Sequence, residues 1–419
     1  MKPKNVILVT MDEVRPDHLG CYGYKRIETP NLDRFAREGV RFETVVSASC
    51  FTPPSHASIL TGVYQYNHNL RDPFSMVEWK MLAEIFHERG YSTAGFVGVN
   101  LLGRANGFDA GFDDFDEPKP DEIWKRSGFA GDDRGELLWG NWWVPRMLDW
   151  IRAHADTPFF IWGHYFDVHQ AAEKILLETG KIREGVLSEF GYYDAKIRYM
   201  DEALFAPLRA LLDELALHEQ TTVVITSDHG TNLGEHEVPP FPNLDLVYPQ
   251  HTTLYDCDLL VPLILRDRDL PHGVVIPGAA RTVDIVPTIL ESAGLAGSIR
   301  FDGVSLISSI AAGRVEGLTC YSEELYEKRG PGDYQSIRSD RYKFIIDRRS
   351  GREEFYDLSA DPLERNNLIA GLTEEQQALV EEWRAFCDSH MERKESGFVM
   401  DVKDRERIEK RLRLLGYIE

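Results

Sequence analysis

Residues 5–11 read N-V-I-L-V-T-M, a stretch almost without polar interruption. A run of that length and kind predicts a strand buried on both faces of a mainly parallel sheet, because a strand with one wet face alternates instead. Similar strand runs return at 40–46, 92–97, 159–163, 221–226 and 260–265. Between them the spacing shifts to that of helices at 31–38, 81–89, 141–155, 187–215 and 281–290, with Gly90 stopping the second of these. Alternating strands and helices predict an α/β fold, a central mostly parallel sheet flanked by helices. From about Gly317 the pattern changes to short alternating strands at 334–346 and 354–358, then a charged amphipathic helix at 373–390. The expected organisation is therefore a catalytic domain over 1–316 and a C-terminal α+β subdomain over 317–419, with a four-stranded antiparallel sheet and a terminal helix. Residues 113–143, rich in Asp, Gly and Trp, read as a loop insertion that walls a pocket.

Parallel strands deliver their carboxyl ends to one edge, where open α/β sheets place their ligands. The reactive residue types collect at those ends. The first strand ends in Asp12-Glu13, hard oxygen donors suited to a divalent cation. The strand at 221–226 ends in Ser227-Asp228-His229-Gly230, which can converge on the same cation. The strand at 159–163 delivers His164 and His169, imidazoles suited to proton transfer to a leaving oxygen. After 40–46 the chain breaks at Thr52-Pro53-Pro54, and prolines there forbid a continued strand but suit the first turn of a helix. Thr52 thus sits on a strand-to-helix corner. Its hydroxyl, in front of helix N–H groups that favour anions, is placed to attack a phosphorus or sulfur oxyanion.

The run T-P-P-S-H-A-S-I-L-T-G from Thr52 to Gly62 resembles the nucleophile segment of the sulfatase and alkaline phosphatase superfamily. Its sulfatase members carry C-x-P-S-R-x-x-x-L-T-G, with the cysteine matured to formylglycine. In that register the nucleophile slot holds Thr52 and not Cys50, and the arginine slot holds His56. The S-D-H-G run at 227–230 and D-P-L-E-R-N-N-L at 361–368 extend the likeness over nearly the whole chain. The resemblance implies an alkaline-phosphatase-like sandwich and a metal shell of Asp12, Glu13, Thr52, Asp228 and His229. It places the general acid on His169 ahead of His164. For His251 it leaves three roles open: oxyanion binding, acid catalysis, or ligation of a second metal. His56, His68 and Asn100 become candidates for substrate binding, with His236 a weaker active-site candidate. The G-K-W-H that grips sulfate in ordinary sulfatases is replaced by Val97, Gly98, Val99 and Asn100, and an asparagine common in threonine-dependent relatives by Pro73.

A threonyl ester cannot collapse to an aldehyde and must be cut at its central atom, which suits phosphoryl transfer. The expected activity is hydrolysis of phosphodiesters or phosphonate monoesters through a phosphothreonine at Thr52. The alternatives are a sulfatase, a phosphoryl-group transferase, or an inactive metal-binding homologue. His229, standing where calcium-dependent sulfatases have asparagine, favours Mn2+ over Zn2+ or Ca2+.

Charge sharpens this picture. With 47 basic against 69 acidic residues, the formal net charge of -22 argues against nucleic acid or an anionic membrane as a partner. An anionic small-molecule phosphate, phosphonate or sulfate ester then needs positive charge supplied locally, by a metal, helix ends and a few basic side chains. Five scattered cysteines make neither a disulfide framework nor a zinc ribbon. With no long apolar run, and a start that leads straight into a strand, a cytoplasmic location is expected. A homo-oligomer stays open, the charged stretch 392–413 reading as a solvated face or an oligomer contact.

Overall fold

The structure, a computed structural model, describes residues 3–118, 140–169, 192–237, 251–326, 333–391 and 398–414. Most of the expected insertion at 113–143, the start of the 187–215 helical pattern, part of the charged stretch 392–413 and the proline-bearing loop between Glu237 and His251 lie outside these residues.

Eight strands form one sheet: β1 (Asn5–Met11), β2 (Val40–Val46), β3 (Ser92–Val97), β4 (Asp114–Asp116), β5 (Phe159–Tyr165), β6 (Thr221–Ser227), β7 (Leu263–Arg266) and β8 (Val274–Arg281). Their order is β4-β3-β5-β1-β6-β7-β2-β8. Every pairing is parallel except those of β7, which runs against both β6 and β2. β1 lies in the centre, between β5 and β6. Its apolar run is explained by its two faces: Val6 and Leu8 enter one hydrophobic core, while Ile7, Val9 and Met11 enter the other. With no wet face, alternation has no physical cause.

A second, antiparallel sheet has the order β12-β11-β10-β9, from β9 (Cys320–Glu324), β10 (Tyr334–Arg338), β11 (Tyr342–Asp347) and β12 (Glu353–Asp357). It packs on the helix Glu374–Ser389 through Ile337, Phe344, Phe355, Val380 and Trp383.

Several local expectations shift. The helix expected at 281–290 begins only at Ile285, because β8 runs to Arg281 and a 3-10 turn intervenes. The 187–215 pattern contains a π-helical segment at Asp201–Phe205, just before Pro207; a proline ring clashes with the carbonyl four residues back, and widening the turn relieves this. The charged stretch 392–413 is not wholly solvated: within helix Val402–Leu414, Ile408 and Leu412 are fully buried against the main core. Among the described residues no helix is long and apolar enough to cross a membrane.

Candidate active site

The carboxyl ends of β1, β2, β5 and β6 converge, as parallel pairing requires. Asp12 N–H bonds Tyr165 O at 3.0 Å and Asp228 N–H bonds Met11 O at 3.2 Å, so the ladder carries on past the strands and fixes these carboxylates side by side. Thr52 opens the helix α1 (Thr52–Thr61), which closes at Gly62 in the left-handed conformation, φ 71°. Two serines, Ser47 just after β2 and Ser55 in α1, dock this corner onto the end of β6: Ser47 Oγ and Ser55 Oγ donate to Asp228 O at 2.5 and 2.6 Å. At about 1 kcal/mol for each buried bond, they hold the nucleophile corner against the metal-ligand loop. Pro53 and Pro54 contribute no N–H, so the expected array of helix-end donors is thinner here than in an ordinary helix.

The donors fall into two groups. Asp12, Asp228 and His229 offer buried ligand atoms within 4.8 Å of one another, and Glu13, His169 and His251 do likewise. The Thr52 hydroxyl belongs with the first: Oγ1 lies 3.4 Å from Asp12 Oδ1 and 3.2 Å from His229 Nε2. Glu13 leaves its neighbour's group. Its backbone takes the left-handed conformation, φ 58°, at a cost of about 1–2 kcal/mol for a side-chain-bearing residue. The Tyr193 hydroxyl donating to Glu13 O at 2.5 Å and Glu13 N–H donating to Asp228 Oδ1 at 3.2 Å hold that turn. The result aims Glu13 Oε1 at His169 Nε2, 3.1 Å, and His251 Nε2, 2.9 Å.

Metal chemistry fits the first group. Asp12 Oδ2 and Asp228 Oδ2 are buried and have no hydrogen-bond partner among the described residues. His229 Nδ1 lies 2.8 Å from Gly230 O, and since a carbonyl only accepts, the proton sits on Nδ1 and Nε2 presents its lone pair. Burial, then Asp228 and Glu13, push the Asp12 carboxyl well above its ordinary value. Burial pushes Asp228 up to about 7 despite the His229 and Glu13 amides. Two carboxylates in such surroundings need a cation to stay ionised together. Burial would raise Glu13 too, but His169, His251 and Lys196 outweigh it and bring the carboxyl down to about 2.

His56, in the family's arginine slot, has both ring nitrogens engaged within the protein, Nδ1 with Thr52 O at 2.8 Å and Nε2 with Thr10 Oγ1 at 3.0 Å. It braces the Thr52 backbone. Burial brings it down to about 3, so it is neutral; its Nδ1–H then donates to Thr52 O and its Nε2 accepts the Thr10 hydroxyl proton. Thr10 Oγ1 in turn accepts from Trp162 Nε1, 3.0 Å, and from His164 Nδ1, 3.3 Å. That leaves His164 Nε2 without a proton, 3.8 Å from Asp12 Oδ1, with burial and then His56 holding the ring well below its ordinary value. Such a nitrogen accepts and does not donate. His68 is likewise engaged at both nitrogens, near Ser58 Oγ at 3.0 Å and accepting the Leu70 N–H at 3.2 Å. Asn100 is buried, its Oδ1 without a hydrogen-bond partner among the described residues. His236 stacks on Tyr255 with centroids 3.7 Å apart.

Cys50 is buried in an apolar cluster with Val46, Leu254, Leu259, Ala279 and Cys320. At Gly98, the slot of the sulfate-gripping lysine, a Cβ would lie 2.7 Å from Phe166 Cβ and 3.0 Å from His164 O. Sequence spacing gave no sign of Lys196, almost fully buried, whose charge acts on Glu13, nor of Tyr193 beneath the Glu13 carbonyl. Both ride a helix whose docking onto the end of β1 only the fold defines.

A family profile described as Sulfatase matches residues 4–295. An ulvan-active sulfatase of Formosa agariphila is 27% identical over 406 residues, spanning 87% of this chain and 77% of that protein. A solved structure holding its substrate D-glucosamine-2-N,6-O-disulfate superposes with TM-score 0.74 at 18% identity, over 93% of this chain and 98% of its own. The phosphonate monoester hydrolase of Agrobacterium radiobacter superposes with TM-score 0.69 at 20% identity, over 93% and 96%. At such identities the structural likeness speaks for the fold alone.

Proposed function

The chain belongs to the sulfatase family, metal-dependent hydrolases of sulfate and phosphate esters, and from that premise we propose that it cleaves phosphodiesters or phosphonate monoesters through a covalent ester on Thr52. The observation that carries the reading is the Thr52 hydroxyl within 3.4 Å of both Asp12 and His229. Asp12, Asp228 and His229 hold a divalent ion, Mn2+ by preference, with Zn2+ and Ca2+ behind it. When bound, such an ion acts as a Lewis acid on the nucleophile and on a non-bridging ester oxygen. Asp12 Oδ1, 3.4 Å away, accepts the hydrogen bond of the Thr52 hydroxyl, aligns the oxygen for attack and takes up its proton. The new bond joins Thr52 Oγ1 to phosphorus as the bond to the leaving oxygen breaks; water then cleaves the phosphothreonine and restores the hydroxyl. Ser47, Ser55 and His56 keep Thr52 in place throughout. With His164 unprotonated at Nε2, the leaving-group side falls to His169 and His251.

Two further observations support phosphorus over sulfur. Cys50, the neighbouring cysteine, is packed among apolar side chains, and the space of a sulfate-gripping lysine at Gly98 is filled by Phe166. Sulfate-ester hydrolysis is the second reading, and the family description and the relative's name weigh in its favour. Aryl phosphodiester, phosphonate, phosphomonoester and sulfate substrates are to be compared under one set of conditions. The expected order places the first two highest in kcat/KM, with Thr52→Ala lowering turnover roughly 10^4-fold and acid-quenched enzyme carrying a phosphorylated Thr52 peptide. Sulfate as the best substrate would reverse the reading, and an undiminished Thr52→Ala enzyme would end it.

A further inference from the structure

We infer that Glu364 is a positioning residue for the reaction: from the D-P-L-E-R-N-N-L stretch at 361–368 it clamps the helical turn Asp256–Leu259, and through that turn it sets the segment that carries His251. Glu364 Oε2 accepts the Asp256 N–H at 2.6 Å, and its Oε1 lies 2.7 Å from Lys343 Nζ, which also reaches Asp256 Oδ1 at 2.7 Å. Arg338 Nε closes the group, 3.1 Å from Asp256 Oδ2. All of these side chains are buried. The other side of the same turn faces the active site. Just beyond His251, the Thr253 N–H and hydroxyl both donate to Asp258 Oδ2, at 3.0 and 2.6 Å. Asp258 O accepts the Gly230 N–H and Leu259 O the Ser47 N–H, both at 2.8 Å. A Cβ on Gly230 would overlap Cys257 O, so backbone meets backbone there and the turn has no room to move inward.

The stretch at 361–368 is built to hold that clamp. Glu364 takes the left-handed conformation, φ 52°, at a cost of about 1–2 kcal/mol for a residue with a side chain, and such strain persists where the surroundings over-determine it. Asp361 O accepts the Glu364 N–H at 3.2 Å, and Asp361 Oδ2 the Asn366 N–H at 2.7 Å. Asn367 fastens the stretch to β12, its Oδ1 accepting the Phe355 N–H at 3.0 Å and its Nδ2 donating to Glu353 O at 3.1 Å. Desolvation of the charges offsets most of what their pairing gains, so what the complete network adds is a fixed position for Asp256. The Thr52 corner has ties of its own, Ser47 and Ser55 to Asp228 O and His56 to Thr52 O. His251 is held at Cys50 O, 2.9 Å from its Nδ1, and through Thr253 by the turn that Glu364 clamps. A relaxed turn therefore displaces His251 more than Thr52.

The part His251 plays on the leaving-group side rests on the ester-hydrolase reading above, and the test separates the two. Glu364→Asp keeps a charge beside Lys343 but withdraws the carboxylate from the Asp256 N–H by one methylene. Wild type and variant, both metal-loaded, are compared on a 4-nitrophenyl and an alkyl ester of the same acid, the first leaving unaided and the second needing a proton. Misplacing a reacting group by ~1 Å costs roughly 100-fold, so kcat on the alkyl ester is expected to fall by about that factor and on the 4-nitrophenyl ester by less than about tenfold. A purely structural role lowers the active fraction, and with it both rates in one proportion. Equal losses, or no loss on either ester, overturn the inference. Glu364→Gln keeps an acceptor at full reach of the Asp256 N–H and is expected to recover most of the alkyl-ester rate; a Gln variant slower than the Asp variant would assign the effect to the charge beside Lys343 and overturn the inference as well. If circular dichroism shows Glu364→Asp unfolded, the isosteric Thr253→Val reads the same link from the other side by removing the hydroxyl bond to Asp258, with the same selective loss expected at about tenfold. Sulfates cleaved faster than phosphates would refute the proposed function, while a selective loss on alkyl sulfates would leave this inference standing; phosphate turnover with equal losses would do the reverse.

Discussion

Replacing Asp228 by Asn should change stability in opposite directions with and without metal. In the metal-free protein Asp228 is fully buried beside Asp12 and Glu13, and its carboxyl is held at about 7 against an ordinary 3.8. At ~1.4 kcal/mol per tenfold change in proton affinity, keeping it ionised costs the folded state about 4 kcal/mol. The sign follows from linkage. An acid whose folded value is raised binds its proton more tightly when folded, so stability is greatest below pH 3.8, falls as pH rises toward 7, and is lowest above it. Asparagine does not titrate, and its carbonyl oxygen can still accept the Glu13 and His229 N–H groups that Asp228 Oδ1 accepts now. In chelator at pH 8, Asp228→Asn should therefore be more stable than wild type by up to about 4 kcal/mol, with the gap closing by about pH 4. With Mn2+ at about ten-thousandfold excess over its dissociation constant, which adds about 5.5 kcal/mol to a protein that binds it, the order should invert, since the variant has lost a ligand. Urea denaturation at pH 5 and 8, with chelator and with Mn2+, reads all four cases. A variant less stable than wild type in chelator at pH 8, or a gap that ignores pH, refutes the reasoning.

Two further outcomes follow from the packing. His56→Arg restores the side chain that sulfatases carry at this slot, yet His56 is fully enclosed and both its nitrogens are engaged; overpacking should cost about 1–3 kcal/mol in thermal unfolding and lower kcat on every ester, whereas a gain in sulfatase activity would show that the slot is still open. Lys343→Met should destabilise by about 3–5 kcal/mol in urea, because Lys343 Nζ is fully buried and pairs with Asp256 and Glu364, each at 2.7 Å; a loss under 1 kcal/mol would mean that Arg338 alone satisfies Asp256.

The separation between what the chain spells out and what folding adds runs through individual residues. The buried strands are legible because a strand covered on both faces takes runs of apolar and β-branched side chains without alternation, and β1, β5 and β6 have such runs. β4, three residues long, and β8, part exposed, carry no such signature and were not foreseen. Asp12, Thr52, Asp228 and His229 were identifiable as one cluster because parallel strands bring their carboxyl ends to a common edge, whatever the loops do. Glu13 was legible as a ligand but not as a member of another group, since its direction depends on a single left-handed φ angle imposed by Tyr193 and Asp228. Likewise the partners of the His56 Nε2, His164 and His251 ring nitrogens, the Thr10 hydroxyl and the Cys50 carbonyl, come from elsewhere in the chain. Local sequence therefore determined which chemical groups reach the sheet edge, because periodicity and strand direction are local properties. Only the tertiary structure decided how those groups are partitioned and where each imidazole carries its proton, because that depends on contacts between residues as far apart as Cys50 and His251.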